Sequence, residues 1–160
     1  MTEATLQLTQ APTVQVAMLI RRPAAEVFQA FADPAVTTRF WFTRSSGPLT
    51  QGAEVTWDWE MYGVSAKARV DELIKNKLIK FHWTNDGMTA VEFRFTPHGD
   101  DATFVEVTES GLSGTGDELA AYAVGSAEGF TIALCSAKAL LEHGIALNGV
   151  ADRFPNGLGG

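Results

Sequence analysis

The chain has 160 residues, 46% hydrophobic and 19% charged, and its twelve Lys and Arg against nineteen Asp and Glu leave a formal charge of −7. At this length a single domain is expected, burying roughly 70% of its unfolded surface, and the acidic balance argues against nucleic acid or an anionic membrane as partner. Cys135 is the single cysteine, which excludes intrachain disulfides and multi-thiolate metal sites. No apolar run approaches the roughly 18 residues of a membrane span, and Met1 to Val14 has no basic start followed by a hydrophobic stretch, so the expected compartment is the cytoplasm.

Residues 1–12 are polar and aperiodic, a terminal lead-in. Val14, Val16, Met18 and Ile20 alternate along a first strand. Arg22-Pro23 breaks it, and Pro23 with Glu26 suits the opening of a short helix whose apolar side is Val27, Phe28 and Phe31. Asp33-Pro34 ends that helix, and a second short helical piece is expected over Ala35 to Trp41. Thr43 to Gln51 reads as loop.

Period-2 patterns then dominate. Val55, Trp57, Trp59 and Met61 alternate with Glu54, Thr56, Asp58 and Glu60, predicting a half-buried strand to Met61. Tyr62-Gly63 turns the chain into Val64 to Leu73. After Lys75-Asn76-Lys77, the residues Ile79, Phe81 and Trp83 form the inner side of the next strand. Asn85-Asp86-Gly87 is a hairpin turn. Val91, Phe93 and Phe95 follow, then a turn at Pro97 to Asp101 and a last strand, Thr103 to Glu109. Short turns between consecutive strands imply an antiparallel meander with one apolar face.

After Gly111 to Gly116, read as a flexible joint, the period changes to 3.6. Ala123, Ala127, Phe130, Leu134, Ala137 and Leu141 form a helical stripe, with Gly125 a point where the helix breaks, so one helix is expected over about residues 126–143. His143-Gly144 closes it. Residues 145–160 read as a second terminal extension around one domain at 13–144. One helix is the only cover for the meander's aromatic face, a geometry that leaves a cavity between sheet and helix.

The element order, together with Arg22-Pro23, Glu26-Val27-Phe28, Phe31, Asp33-Pro34, Phe40-Trp41, Leu78 to Trp83, Ser110-Gly111-Leu112, Glu128-Gly129-Phe130 and Leu140 to Gly144, resembles the START-like, birch-pollen-allergen-like superfamily. The resemblance is to its branch of heat-shock-protein-90 ATPase activator homologues. It implies an α+β helix-grip fold, a curved antiparallel sheet wrapped around a long C-terminal helix with two short helices after the first strand. Phe130 departs from the Trp usual in that branch. The eukaryotic co-chaperones that name the branch carry a further N-terminal domain, which these residues do not include.

Catalytic motifs are absent from the sequence. His82 alternates outward between Phe81 and Trp83, His98 lies in a turn and His143 ends a helix, so no metal site is expected. Cys135 has no His in sequence reach, although Lys138 lies one turn away. Gly111 to Gly116 lacks the lysine of a phosphate loop. Asp100, Asp101, Glu106, Glu109, Asp117 and Glu118 read as a solvated acidic stretch rather than an acid/base pair. The cavity candidates are therefore Trp41, Trp57, Trp59, Phe81, Trp83, Phe93, Phe130 and Leu134, with one hydroxyl contact from Tyr62, Tyr122 or Ser126. They suit a small apolar or aromatic molecule, with no cofactor. The superfamily's polyketide cyclases and aromatases keep an enzyme reading open, and the branch implies a co-chaperone reading. A homodimer and a chaperone partner stay open with them.

Overall fold

A computed structural model describes residues 5–84 and 88–158. Seven strands form one antiparallel sheet: β1 (Val14–Ile20), β2 (Arg44–Ser45), β3 (Glu54–Trp59), β4 (Val64–Ile74), β5 (Leu78–Thr84), β6 (Met88–Pro97) and β7 (Thr103–Ser110). Their spatial order is β1-β7-β6-β5-β4-β3-β2, so every pair after the first crossover is a neighbour in sequence. Between β1 and β2 lie two short helices, α1 (Ala24–Ala32) and α2 (Pro34–Thr37). The long helix α3 (Gly116–His143) crosses the sheet's inner face, and a short helix α4 (Gly149–Asp152) follows. This is the α+β helix-grip arrangement. The turn expected at Asn85-Asp86-Gly87 lies outside the described residues.

Alternation sets the inner face. Val55, Trp57, Ala66, Ala68, Val70, Phe81, Trp83, Val91, Phe93, Phe95, Val105 and Val107 are all buried. On the other side of the core, α1 contributes Val27, Phe28 and Phe31, and α3 contributes Phe130, Ala133, Leu134, Ala137 and Leu140. Thr37 is buried at the junction of the short helices, where its hydroxyl donates to the Ala30 and Asp33 carbonyls at 2.6 and 3.0 Å. Asp33 caps α2 by accepting from the Ala35 amide. That junction aims Phe40, Trp41 and Phe42 into the core, with Phe42 stacked on Trp57 at a centroid distance of 4.7 Å.

Several local expectations are corrected. β3 stops at Trp59, because Glu60–Tyr62 tightens into a 3-10 turn closed by Gly63 at φ 62°, and Met61 is left exposed. Arg44-Ser45, expected as loop, pairs with Asp58 and Trp57 as a two-residue edge strand. The second short helix ends at Thr37.

Helix α3 starts ten residues earlier than its stripe suggested and runs unbroken through Gly125 and Gly129. Thr115 and Glu118 make reciprocal side-chain and backbone hydrogen bonds, a capping box that starts the helix within the stretch read as a flexible joint. Gly116 is required there, since a Cβ would stand 2.0 Å from the Leu6 carbonyl oxygen. The Leu6 amide in turn donates to Asp117, so the lead-in is tied to the start of α3. In sequence, Glu128, Lys138 and Glu142 interrupt the apolar residues of this helix. It is long and apolar enough by length and composition to cross a membrane, but its apolar side forms part of the core described above.

Candidate functional site

Helix α3 does not touch the sheet evenly. Its C-terminal half packs into the main core, while near its start Leu119 joins a small separate cluster with Val14 and Leu112. Between the two lies a cavity of about 390 Å³, within the size range of small-molecule sites. Trp59, Val64, Trp83 and Glu109 line it from the sheet, Trp41 from the segment after α2, and Tyr122, Gly125, Ser126, Gly129 and Phe130 from α3. The residues after Gly144 fold back as its outer wall, contributing Val150, Arg153, Phe154 and Leu158, with Glu128 of α3 beside them.

The glycines of α3 make this space. A Cβ at Gly125 or Gly129 would meet nothing within 4 Å, and both residues line the cavity one turn apart. Each weakens the helix by roughly 1 kcal/mol relative to alanine, so the glycines that argued for a break instead leave room beside an intact helix.

Glu109 is the chemical centre of the cavity. It is 0% exposed and sits in the cavity wall. Four donors converge on it. The Trp83 indole N–H donates to Oε2 at 2.9 Å and is shared with the Thr89 hydroxyl oxygen, also at 2.9 Å. The Thr89 hydroxyl donates to the same Oε2, as does the Tyr122 hydroxyl at 2.7 Å, and the Ser126 hydroxyl donates to Oε1. Strand register explains the meeting. Trp83 pairs with Thr89, and two residues further along β6 Val91 pairs with Glu109, so the three polar side chains step diagonally across adjacent strands on one face. Tyr122 and Ser126 lie four apart on α3, one turn over the carboxylate. Among the described residues, no Lys, Arg or His side chain forms an ion pair with Glu109.

Reading Glu109 as part of a solvated stretch is corrected. The alternation that turns Glu106 away from Val105 and Val107 puts Glu109 on their side, two residues beyond Val107. The signal was its parity within the strand, outweighed by its charge.

Of the eight aromatic and aliphatic candidates, Trp41, Trp59, Trp83 and Phe130 line the cavity. Trp83 and Phe130 stack at 5.7 Å, and Trp41 stands 5.9 Å from Phe130. Trp57, Phe81, Phe93 and Leu134 belong to the packed layer behind them. Trp57 meets Phe81 edge-on at 5.1 Å, and its indole nitrogen is buried with no hydrogen-bond partner among the described residues. Of the three hydroxyl candidates, Tyr122 and Ser126 turn to Glu109, whereas Tyr62 donates to the Val150 carbonyl and so fixes the tail. Arg153 strengthens that closure by pairing with Glu128 on α3 and lying over the Phe154 ring at 4.2 Å. His82 points outward to Asp71, and Cys135 is half-buried on α3 away from the cavity.

A wider depression of about 600 Å³ lies between α1, α2 and the end of α3. Glu26, Gln29, Arg39 and Lys75 rim it, and no aromatic side chain lines it. The aromatic cavity with its buried carboxylate is the better candidate.

Comparison with known proteins follows the geometry. Residues 21–142 match the model of the family described as Activator of Hsp90 ATPase homolog 1-like protein. No curated protein sequence matches the chain. Among solved structures, SSP2350 from Staphylococcus saprophyticus is 27% identical with a TM-score of 0.74, the match covering 85% of this chain and 96% of that one. DynU16, a protein of the dynemicin biosynthetic locus, is 25% identical with a TM-score of 0.72, over 84% of this chain and 48% of its own. The Aha1 dimer from Colwellia psychrerythraea shares the fold at 21% identity and a TM-score of 0.70, over 83% of this chain and 98% of that one. The family match spans both short helices, the whole meander and nearly all of α3, and on that ground the chain belongs to the Activator of Hsp90 ATPase homolog 1-like family, within the START-like superfamily.

Proposed function

We propose that this chain binds a small apolar or aromatic molecule in the cavity between sheet and α3. The observation that carries the reading is the combination of aromatic walls with a helix whose glycines keep the space open. Trp41, Trp59, Trp83 and Phe130 would hold the apolar body, and the tail carrying Val150 and Phe154 would cover it. Trp57, Phe81, Phe93 and Leu134 would act from behind by fixing the wall positions. We assign the protein to the cytoplasm, supported by a single cysteine and hence no intrachain disulfide. The dimeric Colwellia neighbour makes a homodimer worth testing by sedimentation.

The test is titration with naphthalene, followed through tryptophan fluorescence, alongside native mass spectrometry of the purified protein. One naphthalene bound saturably per chain, or a retained small molecule, is the expected result. A linear, unsaturable response with no retained molecule would overturn the reading.

One observation favours a second reading, an enzyme of cyclase or dehydratase type. Such chemistry needs a polar group converging on the cavity, and Glu109 stands there beside Trp83 with Tyr122 and Ser126. Recovery of a bound molecule lighter by one water would support it, whereas recovery of every bound molecule unchanged supports binding alone. Stimulation of a heat-shock ATPase rests on the family's description alone.

A further inference from the structure

We infer that the cavity selects an apolar or aromatic molecule carrying a protonated amine, and discriminates against anions such as carboxylic acids. The inference rests on the ligand-binding reading above and names the chemical class of its ligand.

A hydroxyl has one proton to give and two lone pairs to receive. Ser126 gives its proton to Glu109 Oε1, and Tyr122 gives its proton to Oε2. What Ser126 can offer a ligand is therefore acceptor capacity. The Trp83 N–H, the third polar group of this corner, is also directed to Glu109 and not into the space. The polar corner thus accepts hydrogen bonds and lacks a donor to give one. Behind it lies a buried carboxylate with no cationic ion-pair partner among the described residues.

A neutral alcohol could donate one hydrogen bond to this corner. An ammonium can donate up to three, and its charge is attracted to the carboxylate behind the corner. The walls act in the same direction, because Trp41, Trp59 and Trp83 present indole rings, the strongest cation–π partners among side chains. A carboxylate ligand would be repelled by Glu109, and Arg153, the cation of the lining, is already paired with Glu128. The net charge of −7 draws cations to the protein from a distance as well. Arg153 and Glu128 both line the cavity and neutralise one another, with the guanidinium also over the Phe154 ring.

The experiment is isothermal titration of the full chain with three probes of one shape: naphthylethylamine, naphthylethanol and naphthylacetate. The amine should bind at least about tenfold tighter than the alcohol, as a charge-assisted hydrogen bond gains over a neutral one, and the acetate should bind weakest. In Glu109→Gln the gap between amine and alcohol should close while the alcohol still binds. Should Glu109→Gln fail to fold, Ser126→Ala keeps the carboxylate and removes one acceptor, and should weaken the amine more than the alcohol. An alcohol as tight as the amine, an acetate that binds best, or a gap unchanged in both variants would overturn the inference and leave naphthalene binding, and with it the cavity, intact. Failure of naphthalene and all three probes to bind would remove the ligand-binding reading and this inference together.

Discussion

Trp83 on β5 and Glu109 on β7, 26 residues apart, meet on the inner face of the sheet through an indole N–H donating to the carboxylate Oε2 at 2.9 Å. The contact gives a core-sized tryptophan a polar anchor and gives a buried carboxylate one of its four donors. Removing the carboxylate tests how far the fold depends on it. Glu109→Ala leaves Trp83 with Thr89 as its remaining acceptor, while the hydroxyls of Tyr122 and Ser126 lose their shared acceptor. The expected loss is about 1 to 3 kcal/mol, the range for a buried group deprived of its partner, read from urea denaturation. An unchanged midpoint would show that the network adds nothing to stability.

Gly129 separates cavity from fold. Its Cβ direction is open, so Gly129→Leu should place a side chain in the cavity without disturbing the core. Helix propensity favours the leucine by about 0.8 to 1 kcal/mol, so stability should hold or rise. Naphthalene binding should disappear. A Gly129→Leu protein that still binds naphthalene saturably at one site would place that site elsewhere.

The sheet was legible because its strands are one-sided. Val55 and Trp57 against Glu54 and Thr56, or Phe81 and Trp83 against Lys80 and His82, leave only one register with the apolar set inside. The aromatic half of the cavity followed from that face and from one covering helix. Glu109 was missed although its parity was readable, because a charged residue at the end of a strand is usually solvated. Its four donors come from β5, β6 and α3, and no local pattern brings those together. The early start of α3 was hidden by Gly125 and Gly129, whose propensity points to a break while the capping box at Thr115 and Glu118 and the packing of Leu119 hold the first turns. The tail's role depends on Tyr62, which is 88 residues away in sequence from Val150, and a four-residue helix has no periodicity to announce it.

Leu134 and Trp59 should show opposite behaviour. Leu134 is 1% exposed in the core and does not line the cavity, so Leu134→Ala should lose about 2 to 5 kcal/mol and, where still folded, bind naphthalene nearly as well. Trp59 is half-buried and lines the cavity, so Trp59→Ala should weaken naphthalene binding at a smaller loss of stability. Paired melting and titration experiments decide it. Equal effects of both variants on affinity would mean that wall and core cannot be separated as proposed.

Acid should weaken the fold through three carboxyls away from the cavity. The Ser65 hydroxyl and the Arg44 guanidinium hold Asp58 below its ordinary value on the outer face. The Thr115 amide and hydroxyl do the same for Glu118 in the capping box. For Glu142, burial pushes upward as the largest single influence, but Lys138, the Arg21 amide and His143 together outweigh it, and its value is lowered. A carboxyl with a lowered folded value binds its proton more readily in the unfolded chain. Its contribution is therefore complete above the unfolded value, near pH 4, and is lost as pH falls through and below that value towards the folded one. Urea midpoints should hold steady from about pH 7 to 5 and fall progressively below about pH 4.5. Glu142→Gln should flatten the fall, because its side chain ties β1 to α3 through the Arg21 amide at 2.8 Å and pairs with Lys138 at 2.6 Å. Midpoints that rise on acidification, or an acid limb as steep in Glu142→Gln as in the native chain, would assign the acid sensitivity to other groups.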